Sequence, residues 1–138
     1  MASPKPFDTN LDRLLRRADF VACSKGPWKA RPTVVVQLRD RGDTDRPRIG
    51  FTASKKVGNA VLRARAKRRL REAARAVLSP QARAGYDYVL VARPATPACE
   101  WTRLLDDIEK ALLTLQAQTD ASAIGTGEGR SAHPNPKS

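Results

Sequence analysis

The amino-acid sequence predicts an α+β fold: a four-stranded, mostly antiparallel sheet with helices packed on it. Three observations carry that expectation. Apolar residues recur at helical spacing over 59–78 and again over 100–117. Three β-branched or aromatic runs, at 33–38, 48–54 and 86–92, have the length and composition of strands. The order in which these patterns follow one another, α-β-β-β-α-β-α, is that of a single sheet covered by helices. At 138 residues the chain has room for one such domain and a tail.

Taken in order, residues 1–8 are polar, contain Pro4 and Pro6, and read as a flexible N-terminal arm. Thr9 or Asn10 is placed to cap a short helix through Leu11, Leu14 and Leu15, with Arg13, Arg16 and Arg17 towards solvent. Phe20 to Cys23 reads as a short strand, and Lys25-Gly26-Pro27 as a turn. Thr33 to Leu38 is a strand by its β-branched content. Asp40 to Pro47, with alternating charges, a glycine and a proline, is an exposed connection to a further strand at Arg48 to Ser54.

The longest helical pattern follows. Leu62, Ala66, Leu70, Ala73 and Val77 form one apolar stripe, Asn59 is placed to cap it, and Pro80 stops it just past Leu78. Tyr86 to Ala92 is a strand buried on both faces around Val89 and Val91. The last helix, roughly 100–117, turns Leu104, Leu105, Ile108, Leu112 and Leu115 inward, with Glu100 near its start to suit the helix dipole. After Gln118 periodicity is lost and Gly, Ser, Thr, Ala, Pro and Asn dominate. Such a segment buries too little apolar surface to offset its chain entropy. The domain therefore spans 9–118, with a disordered tail over 119–138.

Charge narrows the function. Lys and Arg number 26 against 14 Asp and Glu, a formal net charge of +12 that points to an anionic partner. A membrane is disfavoured: runs such as Val34-Val35-Val36 are far too short to span a bilayer. No apolar signal-peptide region follows Lys5, so a cytoplasmic location is the default expectation. Cys23 and Cys99 have no paired spacing and read as reduced thiols. The single histidine, His133, sits in the polar tail with no carboxylate cluster near it. Neither a metal site nor a histidine-centred acid–base pair is visible, so the chain does not look equipped for chemistry unaided.

The charge is concentrated between Lys55 and Arg75. On a wheel of about 100° per residue, Arg63, Lys67, Arg68, Arg71 and Arg75 lie opposite the leucine stripe, with Arg65 beside them. Arg69 falls at the apolar edge, where its stem packs and its head reaches outward. Solvated helix faces usually mix signs. Here like charges sit at i and i+4 along 63, 67, 71 and 75, each pair costing roughly 0.2–0.5 kcal/mol in an isolated helix. A row that opposes helix stability fits selection for a polyanion. Arginine forks match phosphate oxygens, and Lys55, Lys56 and the amides around Gly58 extend the surface towards the helix N-terminus. Charge alone does not separate RNA from DNA. Phe20 and Tyr88 are the aromatics best placed to stack on bases, and each taken alone also reads as a core residue.

The run Ser54-Lys55-Lys56-Val57-Gly58-Asn59-Ala60-Val61, followed by Arg63-x-Arg65-x-Lys67-Arg68-x-x-Arg71, resembles the signature of the bacterial ribonuclease P protein component. Asp19-Phe20 before it, the Arg48-Ile49-Gly50 strand and the Tyr86 to Arg93 strand agree with that family, and the resemblance covers roughly residues 9–117. It implies a left-handed βαβ crossover, where general rules predict a right-handed one. It implies a protein that binds a catalytic RNA and helps it remove the 5′ leader of precursor tRNA. The RNA then performs the magnesium-dependent hydrolysis and holds most of the Mg2+, so no catalytic residue is expected in this chain. By resemblance Arg63, Arg65, Lys67, Arg68 and Arg71 face the catalytic RNA, and Phe20, with Val36 and Thr52, lines a leader cleft on the sheet. Two positions depart from the family pattern: Ala64 stands where an asparagine is usual, and Ser24 where many members carry a second aromatic. The rival readings are a ribosomal or RNA-chaperone protein using the same helix as a clamp, and a protein nuclease acting alone.

Overall fold

A computed structural model describes residues 11–124. The N-terminal arm, the caps expected at Thr9 and Asn10, His133 and the tail beyond 124 lie outside the described residues. The elements are β1 (Asp12–Arg13), α1 (Arg17–Ser24), β2 (Trp28–Arg31), β3 (Val34–Asp40), β4 (Arg48–Thr52), α2 (Ala60–Ala73), β5 (Tyr86–Ala92) and α3 (Trp101–Ile124). The described strands form one five-stranded sheet in the order β1-β4-β5-β3-β2. β4 runs parallel to both β1 and β5, while β3 is antiparallel to β5 and to β2. The sheet is therefore mixed, with five strands in place of the expected four mostly antiparallel ones.

The departures lie in the first thirty residues. Leu11 and Leu14 do not share a helix face. They flank the two-residue strand β1, and their odd separation in extended chain sends them to opposite faces of the sheet. Leu11 joins the main core, Leu14 the smaller cluster beneath α1, and Leu15 is left exposed. Phe20 to Cys23 is helical, not a strand. Asp19 in the first turn suits the dipole of α1, and Phe20 and Cys23, three apart, turn together onto the sheet. The missed strand is β2, which pairs with β3 across the Pro32-Thr33 turn. Its two basic residues disguise it, yet an edge strand tolerates them.

The later elements follow the sequence closely. The Asn59 side-chain oxygen accepts from Leu62 N at 3.0 Å and starts α2. Its stripe buries Ala66, Leu70 and Ala73 against the sheet. Past Ala73 the helix widens to a π turn over Ala74–Leu78 and ends in a 3-10 turn holding Pro80. α3 lays Leu104, Ile108, Leu112 and Leu115, all fully buried, over the same sheet face. Each such side chain contributes about 1.5–3 kcal/mol by leaving water. α3 continues to Ile124, so residues 119–124, assigned to the tail from composition, are helical. Arg83 forks onto Asp120 at 2.8 Å and 3.3 Å, and the Thr119 hydroxyl donates to Leu115 O, which anchors that extension locally.

The hand of the β4–α2–β5 crossover can be read from the backbone. Leu14 N donates to Ile49 O at 2.9 Å, so the peptide groups of Ile49 point towards β1, while its side chain enters the core beneath α2. For an L-residue in an upward strand whose side chain faces the viewer, the N–H and C=O point right. Seen from the helix side, β1 therefore lies right of β4 and β5 lies left. A chain that rises on β4, descends in front through α2 and returns on the left makes a left-handed crossover, the rare hand.

Candidate nucleic-acid interface

Two surfaces on opposite faces of the sheet meet at the end of β4. The first is the outer side of α2 with the segment leading into it. After β4, Ser54 caps a single 3-10 turn, Lys55–Val57, by accepting from Lys56 N at 3.2 Å. Val57 is buried, while Lys55 and Lys56 are exposed. Gly58 follows at φ 142°, a conformation that favours glycine. A Cβ there would lie 2.5 Å from the Leu62 side chain, so this residue allows the basic turn to fold back onto α2.

On α2 the predicted cations divide into two groups. Arg65, Lys67 and Arg68 are exposed and, among the described residues, make no ion pair. Arg63 is half-buried and donates from Nη1 to Gly58 O at 2.8 Å, bracing the turn that carries the lysines. Arg71 is half-buried over the Phe51 ring, 5.7 Å from its centroid, in a cation–π contact. Arg75 is paired with Glu72 at 3.0 Å. Arg69 points away from this face: it donates to the carbonyls of Thr96 and Cys99 at 2.9 Å and 2.7 Å and lies over Trp101. It fastens α2 to the turn before α3.

The second surface is the sheet face away from α2 and α3. α1 covers only part of it. Register places Thr52, Val91, Val35 and Ala30 in one row across four strands, and Gly50, Val89, Gln37 and Trp28 in the next. Phe20, half-buried, leans over Gly50: a Cβ on that glycine would meet the ring carbons at 2.5 Å, so the ring rests on backbone. Thr52 is on this face as expected. Val36 is not. It is fully buried among the core residues on the helix side, because alternation in β3 gives Val34, Val36 and Leu38 to the core and leaves Val35, Gln37 and Arg39 for the open face. Tyr88 is also withdrawn from any stacking role. It is fully buried, donates to Gln116 Oε1 at 2.9 Å and accepts from Arg83 N, and burial pushes its hydroxyl up to about 12.

A polar cluster beneath α1 fixes its position. Asp87, fully buried in β5, accepts a fork from Arg48 Nε and Nη2, both at 2.8 Å, and a bond from Arg41 Nη1 at 2.6 Å. Arg48 and Arg39 also reach Asp19, the neighbour of Phe20, at 3.4 Å and 3.3 Å. The cluster thus ties the residue before Phe20 to two strands. Hydrogen bonding to Asp87 holds the Arg48 guanidinium charged. Cys23 lies beside it, its thiol pushed up to about 12 by burial and by Asp87, so it is inert. Reading for charge rows overlooks this cluster. The available signal was an aspartate inside the apolar strand Tyr86 to Ala92.

Among the described residues no three His, Cys, Asp or Glu side chains gather into a group able to hold a metal ion, and no helix is long and apolar enough to cross a membrane.

The comparisons with known proteins agree with this geometry. The family model described as Ribonuclease P matches residues 9–116. The ribonuclease P protein component of Caulobacter vibrioides is 51% identical over 116 residues, spanning 83% of this chain and 78% of that protein. The same component of Ruegeria pomeroyi is 49% identical over 107 residues, spanning 75% and 86% respectively. Among solved structures, the RNase P protein of Staphylococcus aureus superposes with a TM-score of 0.63 at 28% identity, covering 75% of this chain and 94% of that one. The RNase P protein from Thermotoga maritima gives 0.56 at 25% identity, covering 78% and 96%.

Proposed function

The chain belongs to the ribonuclease P protein family, and from that premise we propose how its two surfaces share the handling of RNA. As a protein subunit of ribonuclease P it works in a tRNA-processing ribonuclease complex and partners the RNA of that complex. The reading as a ribosomal or RNA-chaperone protein has no support beside this family membership.

The finer division of labour is our own reading. The RNA subunit carries out phosphodiester hydrolysis of the precursor and holds most of the Mg2+ that the reaction uses. The protein neutralises phosphates where RNA strands converge, through Lys55, Lys56, Arg65, Lys67 and Arg68, while Arg63 and Arg71 shape and border that surface. The open sheet face around Phe20 and Thr52 receives the single-stranded 5′ leader, and the site of action is the bacterial cytoplasm. One observation carries the reading: exposed Arg65, Lys67 and Arg68 lie along one side of α2 with no acidic partner among the described residues. An uncompensated row of this kind is stabilised by an anion that is not part of the chain.

The test is cleavage of a precursor tRNA at low millimolar magnesium by a bacterial ribonuclease P RNA, with and without this protein. Strong stimulation that raised magnesium largely replaces supports the reading. Tight binding to that RNA without stimulation refutes it.

A further inference from the structure

We propose that Val61, with Ala64 beside it, is an apolar contact at the centre of the basic face of α2 and closes on an unpaired nucleotide of the partner RNA. The inference rests on the reading of α2 as the surface that meets that RNA.

Val61 is 69% exposed in the first turn of α2, two residues past the Asn59 cap. Ala64, one turn on, is exposed as well. At about 100° per residue, each stands roughly 150° from the centre of the buried stripe Ala66, Leu70 and Ala73, one on either side of the point opposite it. The pair therefore lies on the crest of the outer face. Arg65 follows Val61 at i+4 and Arg68 follows Ala64 at i+4, spacings that put Cβ atoms about 5–6 Å apart. Both arginines are exposed and, among the described residues, make no ion pair. On the other side of Val61 in the chain is the turn with exposed Lys55 and Lys56. The valine is thus an apolar spot inside a cationic surface.

Helix stability does not account for it. A β-branched side chain loses rotamer freedom in a helix, and alanine would suit the position better. Packing does not account for it either: Val61 belongs to neither buried cluster, whereas its neighbour Leu62 packs against the main core. Charge selects the occupant. Cations on both sides call for a polyanion, so the apolar spot meets the apolar parts of one, its base faces and sugar C–H groups. In an RNA duplex the base faces are stacked away, whereas an unpaired nucleotide offers its face to the protein. Ala64, with a single methyl, keeps the helix surface low beside Val61, so a ring resting there has an arginine on either hand for its phosphates. Such a contact adds affinity without releasing counterions, which separates it from the arginines by its response to salt.

The experiment measures binding of the full chain to a bacterial ribonuclease P RNA across a salt series. Val61→Ala, which removes both γ-methyls, should weaken binding roughly 5- to 15-fold and leave the slope of log K against log salt unchanged. Val61→Thr, of the same shape but with a hydroxyl, should lose a similar amount, and Val61→Ile should hold wild-type affinity. The urea midpoint of free Val61→Ala should be no lower than that of wild type; a lower one would assign the valine to the fold and overturn the proposal. On a fully paired RNA duplex the variant should bind as wild type does. Unchanged affinity for the ribonuclease P RNA, a loss accompanied by a shallower slope, or an equal loss on the duplex would also overturn it. Arg68→Ala run alongside separates the two levels of inference. If it lowers the slope while Val61→Ala changes nothing, the apolar contact alone is excluded; if neither changes binding, α2 is not the RNA face.

Discussion

The clearest energetic consequence of the structure concerns Asp87→Asn. The carboxylate is fully buried and receives three short bonds, two from Arg48 and one from Arg41, with Arg39 at 3.5 Å. Asparagine keeps the shape, removes the charge and turns an amide N–H₂ towards guanidinium donors. Three charge-assisted bonds at about 1.5–3 kcal/mol each set an upper figure well above what will be observed, because the arginines are not stranded. Arg41 keeps Asp43 and the carbonyls of Tyr86, Asp45 and Arg46, and Arg48 keeps Asp19. Breaking one side of a buried pair typically costs about 3–5 kcal/mol, and the retained partners place this site at about 3 kcal/mol.

Urea denaturation of the free protein measures it. With a slope of about 2 kcal/mol per molar, the midpoint should fall by about 1.5 M with the slope unchanged. Asp120→Asn is the contrast: its bond to Arg83 lies at the surface, where such pairs contribute little, and the midpoint should barely move. A shift for Asp87→Asn below about 0.3 M would show that the cluster is not what holds α1 and the β3–β4 connection together. A changed slope would move the effect to the unfolded chain. Because Asp19 hangs on the same arginines, the folded variant should also bind leader-bearing precursor more weakly than wild type.

Further outcomes follow from particular contacts. Alanine at Arg65, Lys67 or Arg68 should weaken binding to the ribonuclease P RNA and lower the slope of log K against log salt by roughly 0.7–0.9 for each phosphate no longer neutralised. Arg69→Ala, which breaks bonds to Thr96 and Cys99, should lower stability and leave that slope alone. Gly50→Ala puts a methyl 2.5 Å from the Phe20 ring, so it should destabilise by about 1–3 kcal/mol and reduce leader affinity more than affinity for the RNA subunit; equal losses would mean that Phe20 is core alone. In an aromatic-disulfide thiol assay Cys99 should react in the native protein and Cys23 only on unfolding. The sign for Cys23 follows from its raised value: its contribution is full below the unfolded thiol's 9.0 and is lost as pH climbs from there towards about 12, so Cys23→Ala should flatten the alkaline fall in stability.

Local patterns decide which parts of this fold are legible in the sequence. α2, β5 and the inner face of α3 were readable because long periodic stripes outvote single residues, and Asn59 and Pro80 mark their limits at short range. The basic face was readable only in part: of the like-charge row 63, 67, 71 and 75, Arg63 braces the Gly58 carbonyl, Arg71 lies over Phe51 and Arg75 pairs with Glu72, contacts that spacing alone does not announce. The region 11–31 was not. Leu11 and Leu14 fit a helical spacing and an extended crossing of the sheet edge equally well. Phe20 to Cys23 is too short for its period to be determined. β2 is defined by its pairing with β3, a long-range fact that four residues do not advertise. The error at Val36 has a related cause: three consecutive valines conceal which face is inner, and only the position of α3 over Val34 and Val36 resolves it. Asp87 escaped notice because a buried carboxylate is recognised by the arginines that converge on it from β3, β4 and the connection after β3.

The left-handed crossover gives these surfaces their relationship. α2 sits on one face of the sheet and the surface proposed for the leader on the other, so RNA bound along the helix and RNA bound on that surface would be separated by the thickness of the sheet. The two surfaces adjoin at the C-terminal end of β4, where Thr52 is on the open sheet face and Lys55 and Lys56 face solvent within one short turn. Whatever fixes that turn fixes the angle between the two proposed RNA paths. Three local devices do so: the Ser54 cap, buried Val57, and Gly58 held between Leu62 and the Arg63 bond to its carbonyl. Arg63, the first arginine of the basic signature, thus owes its place as much to the geometry of the junction as to its charge. Its replacement by lysine, which preserves charge but shortens and unforks the donor, should impair the coordinated binding of leader and RNA subunit more than it impairs either alone.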